Sequence, residues 1–145
     1  TEFTRFLGLS EEYPVVKVGT AGMLAALQVV FPSEQYGMKP VAYFSELPED
    51  AGVQIGGLVV RHLTDIPRLD RGLDASVALV ACSPGWVQIT LDLLSSAGIS
   101  GVLLVTPIIR LRKPEGMNVT QLRMPCDLKT LACRCQVPAG TVGAR

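Results

Sequence analysis

The stretch PVVKVGTAG, residues 14–22, identifies the architecture of this chain. Its first five residues are β-branched and almost entirely apolar, which predicts a strand that is buried on both faces. Gly19 to Gly22 then make a glycine turn, and apolar residues recur at helical spacing from Met23 to Phe31. A buried strand, a glycine turn and a helix are the opening of a β-α-β unit.

Further apolar segments bounded by turn residues continue the same alternation. Strands are predicted at Pro40–Ser45, Gly56–Val60, Ala75–Cys82, Ser100–Val105 and Met117–Met124. Helices are predicted at Thr4–Leu9, Thr64–Leu69 and Asp127–Cys133, and over 84–97 with Ser83 as N-cap and Gly98 as the stop. Strands that alternate with helices predict an α/β fold, a doubly wound and mostly parallel sheet with right-handed crossovers.

The length predicts one domain, because 145 residues are close to the usual size of about 150. We expect a lead-in helix and linker over 1–13, the α/β domain over 14–135 and a flexible tail over 136–145. Apolar residues make up 48% and charged residues 18%, which excludes disorder and predicts apolar surface for a second subunit. The balance of 13 basic and 13 acidic residues offers no basic surface for DNA.

The longest apolar runs, Ser76–Cys82 and Gly101–Ile109, are much shorter than a membrane-spanning helix. The first residues show no basic region followed by an apolar one, so no signal peptide is expected. The chain therefore reads as cytoplasmic, with no membrane contact and with its four cysteines as free thiols.

Ligands of doubly wound sheets bind beyond the carboxyl ends of the strands, next to the turn after the first strand. A dinucleotide fingerprint has glycine at its first, third and sixth places, here Gly19, Ala21 and Leu24. Ala21 adds a methyl group where the diphosphate approaches the backbone, and Leu24 adds bulk where helix and strand cross. Gly22 is out of register, and the amides at the helix start still favour an anion. The turn predicts phosphate binding that is weakened.

The acid that ends the second strand of such folds accepts hydrogen bonds from the ribose of the dinucleotide. Ser45 occupies that place. Glu46, which follows it, is the alternative candidate for the ribose contact if its side chain turns in, although it starts on the opposite face. This second departure again predicts weakened dinucleotide binding.

In the order of its motifs the chain resembles the Rex family, bacterial repressors that sense the NADH to NAD ratio, in their C-terminal Rossmann (CoA-binding-like) domain. The resemblance covers residues 3–133. It rests on 6–9 (FLGL), 40–44 (PVAYF), 55–57 (IGG), His62–Leu63, 97–99 (AGI), Gly101, Thr106–Pro107, Arg110–Leu111, 114–116 (PEG), Leu128 and Leu131–Ala132.

The resemblance implies binding of NADH, a homodimer with a C-terminal helix exchanged between protomers, and DNA contact through a winged-helix domain that is absent here. Its ligand contacts are carried over by position. The expected phosphate contacts are Gly19, Thr20, Ala21, Gly22 and Met23, and the expected ribose contact is Ser45. The loop after the fourth strand corresponds to Cys82 and Ser83, and the loop beside the nicotinamide corresponds to Thr106 and Pro107. Ser45 departs from the family aspartate, which weakens the hold on NADH. The chain is then either a sensor half or a paralogue that lost DNA binding.

Three cysteines near the C-terminus, Cys126, Cys133 and Cys135, lack the two-residue spacing of close zinc ligands and have no histidine nearby, so no metal is predicted. A thiol switch is the alternative reading. Cys82 reads as a small buried hydrophobe, with a sensing role beside the pocket as its alternative.

The remaining polar candidates read as structural or solvated. His62 has no nucleophile partner in sequence, which indicates a surface or capping role. Trp86 is expected in the core. Arg110, Arg112 and Lys113 form a basic loop, either solvated or facing a phosphate or an acidic partner.

These observations favour a non-enzymatic regulatory domain of the Rex type, with weakened or lost dinucleotide binding and an output through subunit arrangement. A first alternative is a homodimerisation scaffold with an empty pocket. A second alternative is a nucleotide-, CoA- or NADP-binding enzyme domain. The lack of acid and base residues around the turn argues against it. Titration with dinucleotides distinguishes the regulatory domain from the empty scaffold. An assay of turnover with a panel of cofactors tests for an enzyme.

Overall fold

The computed structural model describes residues 12–122 and 127–135. Across those residues one sheet contains the strands β1 Tyr13–Val18, β2 Met38–Ser45, β3 Gln54–Ile55, β4 Leu58–His62, β5 Val77–Val80, β6 Gly101–Leu104 and β7 Asn118–Gln121. The α-helices are α1 Ala21–Val30, α2 Pro84–Ser96 and α3 over residues 127–135. Short 3-10 helices lie at Ser33–Tyr36, Pro48–Asp50, Leu63–Arg68 and Arg71–Leu73. None of the helices in this part of the chain has the length and apolar character to cross a bilayer.

The strands are ordered β3-β4-β2-β1-β5-β6-β7, and every neighbouring pair is parallel except β3 with β4. Counted along the chain, the six parallel strands therefore stand in the order 3-2-1-4-5-6 of dinucleotide-binding sheets. The order reverses between β1 and β5. The predicted mostly parallel α/β sheet is confirmed.

Two apolar clusters cover the two faces of the sheet, as the side-chain alternation of a strand requires. On one face Val16 and Val18 of β1 meet Leu91 of α2. On the other face Leu24 of α1 packs against Tyr43 of β2. The first cluster also contains Phe44, Leu63, Ile66, Val80, Val87, Leu94 and Leu104, and the second contains Ile55 and Val60. β1 is thus buried on both sides, which explains its almost uninterrupted apolar sequence.

One charged side chain lies within that buried strand. Lys17 is 2% exposed, and its Nζ donates a hydrogen bond of 2.5 Å to Ser33 Oγ. Burial lowers the pKa of Lys17, and the nearby Glu34 carboxylate opposes that shift. The contact ties the 3-10 helix after α1 to the centre of the sheet.

Two predicted elements are present with different bounds or geometry. Gly56 and Gly57 are the turn of the antiparallel β3–β4 hairpin and not the start of a strand, and their φ angles of 57° and 86° suit glycine. The segment predicted as helix over Thr64–Leu69 is the 3-10 helix Leu63–Arg68, because Pro67 cannot continue an α-helix.

Other elements agree in type and differ in their bounds. α1 begins at Ala21, inside the predicted turn, because the Thr20 hydroxyl accepts a hydrogen bond from the Met23 amide and caps the helix. Tyr13 already belongs to β1, β5 to β7 are shorter than predicted, and α3 continues to residue 135. The helix predicted at Thr4–Leu9 and the tail over 136–145 lie outside the described residues.

Removing buried volume from α2 tests the first cluster. Leu91 is fully buried, whereas Ile89 on the same helix is 48% exposed. Leu91→Ala is expected to lower the free energy of unfolding by about 2–5 kcal/mol, since it leaves a cavity. Ile89→Ala, the matched control, is expected to change it by less than about 1 kcal/mol. Urea denaturation measures both, and equal losses would contradict the described packing.

Candidate functional site

A cleft of about 390 Å³ opens at the carboxyl ends of β1 and β5, where the strand order reverses. This is the place where open α/β sheets bind ligands, and the volume lies at the lower end of the range for such sites. Its lining residues are Thr20, Met23, Glu46, Ala81, Cys82, Ser83, Val105, Thr106 and Pro107. The cleft thus brings together most of the predicted ligand contacts, and Gly19, Ala21, Gly22 and Ser45 lie outside its lining.

The turn between β1 and α1 is held closely against the neighbouring strands. The Gly19 amide donates to the Phe44 carbonyl at 3.0 Å, and a β-carbon on Gly19 would lie 3.4 Å from the carbonyl oxygen of Ala81. A methyl group at this position would be in van der Waals contact with the backbone after β5. Gly19 occupies the first place of the fingerprint, which serves the tight turn after the strand.

The other two fingerprint places are filled by side chains that pack into the second cluster. Leu24 is 1% exposed among Tyr43, Ile55 and Val60, and Ala21 is half-buried against the same cluster. The leucine predicted to obstruct helix packing is therefore a core residue of the interface between α1 and the sheet.

A carboxylate that the sequence analysis did not select lies beside the turn. Asp50 Oδ2 accepts hydrogen bonds from the Ser45 hydroxyl at 2.7 Å and from the Ala21 amide at 2.9 Å. These two bonds, that of Ser45 first, hold the pKa of Asp50 below its usual value. The 3-10 helix that begins at Pro48 brings Asp50 back to the end of β2. The available signal was an acid two residues after the proline that follows the strand.

Glu46 turns toward α2 and away from Ser45. Its side chain is buried, and one carboxylate oxygen accepts hydrogen bonds from the Ser83 amide at 3.0 Å and from the Ser83 hydroxyl. Ser83 is the N-cap of α2, but its hydroxyl makes no cap of its own, so Glu46 supplies the negative charge at this helix start. Glu46 lines the cleft, but its carboxylate lies at the start of α2 and not at the end of β2, where the ribose contact was predicted.

Cys82 is a buried wall of the cleft, as predicted. Burial raises the pKa of its thiol to about 11, although Thr90 Oγ1 lies 3.7 Å from the sulfur and lowers it slightly. The Thr106 hydroxyl donates to the Cys82 carbonyl at 2.5 Å and joins the loops after β5 and β6. At neutral pH the thiol is protonated and poorly nucleophilic.

His62 has the predicted capping role. Its Nδ1 accepts a hydrogen bond of 3.2 Å from the Thr64 amide at the start of the 3-10 helix Leu63–Arg68. Its Nε2 lies 3.3 Å from the Glu46 carbonyl, and its ring stands edge-on to Trp86, which is half-buried against the first cluster.

The basic loop and the cysteines outside the cleft have ordinary surroundings. The Arg112 backbone exchanges hydrogen bonds with the Gln88 side chain, and its exposed guanidinium pairs with Asp92 at 3.7 Å. Cys133 and Cys135 are exposed free thiols on α3, and Cys126 lies outside the described residues. Over residues 12–122 and 127–135 no group of three His, Cys, Asp or Glu side chains is placed to hold a metal ion.

Comparison with known proteins identifies relatives over most of the chain. The redox-sensing transcriptional repressor Rex of Streptomyces griseus subsp. griseus is 30% identical over 139 residues, which are 96% of this chain and 54% of the relative. Rex of Chloroflexus aggregans is 33% identical over 117 residues, or 79% of this chain and 54% of the relative. The chain spans about half the length of the curated relatives it matches. No protein-family model matches it.

Solved structures of Rex repressors share the fold. The crystal structure of RSP, a Rex-family repressor, matches with a TM-score of 0.81 at 20% identity, covering 95% of this chain and 66% of that one. RSP in complex with beta-NADH matches with a TM-score of 0.81 at 19% identity, covering 99% and 69%. Rex-family homologues thus cover most of this chain, and those relatives are transcriptional regulators rather than enzymes.

The contact between Glu46 and Ser83 is expected to stabilise the fold. Glu46→Gln keeps the side-chain shape but replaces a charged acceptor at a helix N-terminus, so the free energy of unfolding is expected to fall by about 1–2 kcal/mol. Glu49→Gln, at an exposed position on the same loop, is the control. Chemical denaturation of both variants checks this, and an unchanged Glu46→Gln would show that the buried carboxylate contributes nothing.

The protonated state of Cys82 predicts selective alkylation. At pH 7.5 iodoacetamide is expected to modify the exposed Cys133 and Cys135 and to leave Cys82 unmodified until the protein is denatured. Peptide mass spectrometry after a short exposure measures this. Modification of Cys82 at the rate of Cys133 would revive the alternative that Cys82 is a sensing thiol.

Proposed function

We propose that this chain, a homologue of the Rex-family redox-sensing repressors, is a non-enzymatic regulatory domain that binds a nicotinamide dinucleotide weakly. Binding would be reported through the arrangement of two subunits. The observation that carries the proposal is the cleft at the reversal of strand order, lined by Thr20, Met23, Ser83 and Thr106 in the positions that the family resemblance selects.

The cleft offers a helix start for the diphosphate of a dinucleotide and the loop that the family resemblance assigns to the nicotinamide. α1 points its N-terminus toward the cleft through Thr20 and Met23. The hydroxyl of Thr106 and the loop that carries it form the opposite wall. RSP in complex with beta-NADH has the same fold, which supports a ligand of this class.

Several features support weak binding. The Met23 amide is already bonded to Thr20, and the Ala21 amide to Asp50, so a diphosphate competes with the protein for donors. The Glu46 carboxylate occupies the Ser83 amide at the start of α2 and places a negative charge in the cleft. Like charges repel, so this carboxylate disfavours a diphosphate.

The cleft suits recognition better than catalysis. Its lining contains two ionisable side chains, Glu46 and Cys82. Glu46 is engaged with Ser83, and the Cys82 thiol is protonated. Hydride-transfer enzymes need a positioned proton donor or acceptor, and neither residue meets that need. This lining supports a regulator over the alternative of a dinucleotide-dependent enzyme.

Exposed apolar side chains support a homodimer. Val29 and Val30 at the end of α1 are 82% and 81% exposed, and Leu128 and Leu131 of α3 are also exposed. Exposed apolar side chains of this size are typical of a subunit interface, and exchange of the C-terminal helix between protomers, which the family resemblance implies, would cover those of α3. DNA contact would fall to a separate winged-helix domain, and such a regulator would act in the cytoplasm.

Titration of the purified chain with NADH, NAD+ and adenine nucleotides tests the proposal. We expect heat with NADH and a dissociation constant on the order of 0.1 mM, equal to roughly −5.5 kcal/mol. Sedimentation velocity with and without NADH then reports the subunit arrangement. Absence of heat with every nucleotide at sub-millimolar levels would favour the dimerisation scaffold with an empty pocket.

A matched pair of glycine variants tests the cause of the weakness. Ala21→Gly removes the methyl group at the third fingerprint place. Because this methyl packs against the second cluster and does not line the cleft, NADH affinity is expected to stay within about threefold of the wild type. Ala25→Gly, at an exposed position inside α1, controls for the helix-propensity cost of glycine. NADH binding tightened about tenfold by Ala21→Gly alone would show that the methyl group limits binding.

A further inference from the structure

We infer that Asp50 is the carboxylate that binds the ribose diol of the adenosine half, in place of the acid missing at residue 45, and that it selects NAD(H) over NADP(H). The inference rests on the proposed function and adds a specificity-determining residue to that site. The resemblance assigns this role to position 45, which holds a serine.

The geometry brings the carboxylate to the place where an acid ending β2 would stand. Asp50 Oδ2 receives the hydroxyl of Ser45 at 2.7 Å and the amide of Ala21 at 2.9 Å. The Ser45 hydroxyl in turn accepts the Leu47 amide at 3.0 Å, so the loop after β2 is held in one conformation. Three bonds therefore fix a carboxylate between the end of β2 and the start of α1.

One oxygen of this carboxylate is left for a ligand. Asp50 Oδ1 makes no hydrogen bond to any of the residues the structure describes, and the side chain is half-buried. An ionised carboxylate has about four acceptor sites, of which the two bonds at Oδ2 use about two. The remaining sites suit the paired hydroxyls of a ribose, because both hydroxyls are donors.

The negative charge of Asp50, with no cation beside it among the described residues, would select NAD(H) over NADP(H). Its hydrogen bonds favour the ionised form, so the carboxylate is negative at neutral pH. Residues 40–60 contain no Lys or Arg, and the guanidinium of Arg61 lies over the Phe44 ring, on the face of the sheet opposite to Ser45. A 2′-phosphate would therefore meet a fixed negative charge, whereas a 2′-hydroxyl would donate to it.

A different reading makes Asp50 a plug that occupies the start of α1 and keeps phosphates out. Asp50 does not line the cleft, whose wall on this side is formed by Thr20, Met23 and Glu46. The carboxylate therefore occupies one amide at the start of α1 without filling the cleft, and it stands beside the phosphate region, where the ribose of a bound dinucleotide lies. The position favours a ligand contact over an obstruction.

The test compares the affinities of the wild-type chain, Asp50→Asn and the control Glu49→Gln for NADH, NADPH and 2′-deoxy-NADH. We expect the wild type to bind NADH at least tenfold more tightly than NADPH. Asp50→Asn is expected to lose about tenfold in NADH affinity, to bind 2′-deoxy-NADH as the wild type does, and to discriminate less against NADPH. Glu49→Gln is expected to behave as the wild type, and circular dichroism confirms that each variant is folded.

The possible outcomes distinguish the role of Asp50 from the proposed dinucleotide binding on which it rests. A wild-type chain that binds no dinucleotide would refute both. A wild type that binds NADH while Asp50→Asn binds it equally well would refute only the role of Asp50. Tighter NADH binding by Asp50→Asn would also refute it, and would identify the carboxylate as the plug. Equal losses for NADH and 2′-deoxy-NADH would show that Asp50 acts by holding the loop and not through the 2′-hydroxyl.

Discussion

Burial of β1 between β2 and β5 is the constraint on which the structure depends, with Val16 and Val18 in the first apolar cluster and Val15 and Lys17 buried on the opposite face. Because β1 pairs in parallel with both neighbours, the next strands along the chain must be added on one side of it and the later ones on the other. The two sets of connections then leave the sheet in opposite directions at its carboxyl edge. The cleft is the space that this divergence opens, so the core and the site have one cause.

Because β1 and its surroundings are buried, the polar groups near this strand need hydrogen-bond partners within the protein. Lys17 is satisfied by Ser33, Glu46 by Ser83, and Ser45 by Asp50, each across a wide separation in sequence or between a strand and its following loop. No buried side-chain nitrogen or oxygen of the described residues lacks a hydrogen bond. Because an unpaired buried polar group costs about 1–3 kcal/mol, these pairs stabilise the loops that surround the cleft. The donors and acceptors around the cleft are consequently already partly engaged.

The fold of this chain agrees with that of solved Rex-family structures, one of which is a complex with beta-NADH. In this chain a carboxylate stands at each of the two helix starts beside the cleft, Asp50 at α1 and Glu46 at α2. Both follow β2 on a loop that the core positions, so changes there alter affinity and selectivity without altering the sheet.

The sequence by itself determined the fold class, the strands and helices that bury most apolar surface, and the location of the site after β1. These follow from periodicity and from turn residues such as Gly19 and Gly98, which are local properties. The Gly56–Gly57 turn was assigned to a strand because a short apolar run does not reveal whether its partner is antiparallel.

Only the tertiary structure determined which helix N-terminus each carboxylate contacts, Asp50 that of α1 and Glu46 that of α2. Glu46 and Ser45 are adjacent in sequence, yet the strand pleat sends one side chain to α2 and the other to Asp50. Asp50 reaches the end of β2 through a one-turn 3-10 helix, a contact that depends on the path of a loop and not on any periodic pattern. Pairings of this kind are set by three-dimensional proximity, so residue order alone leaves them open.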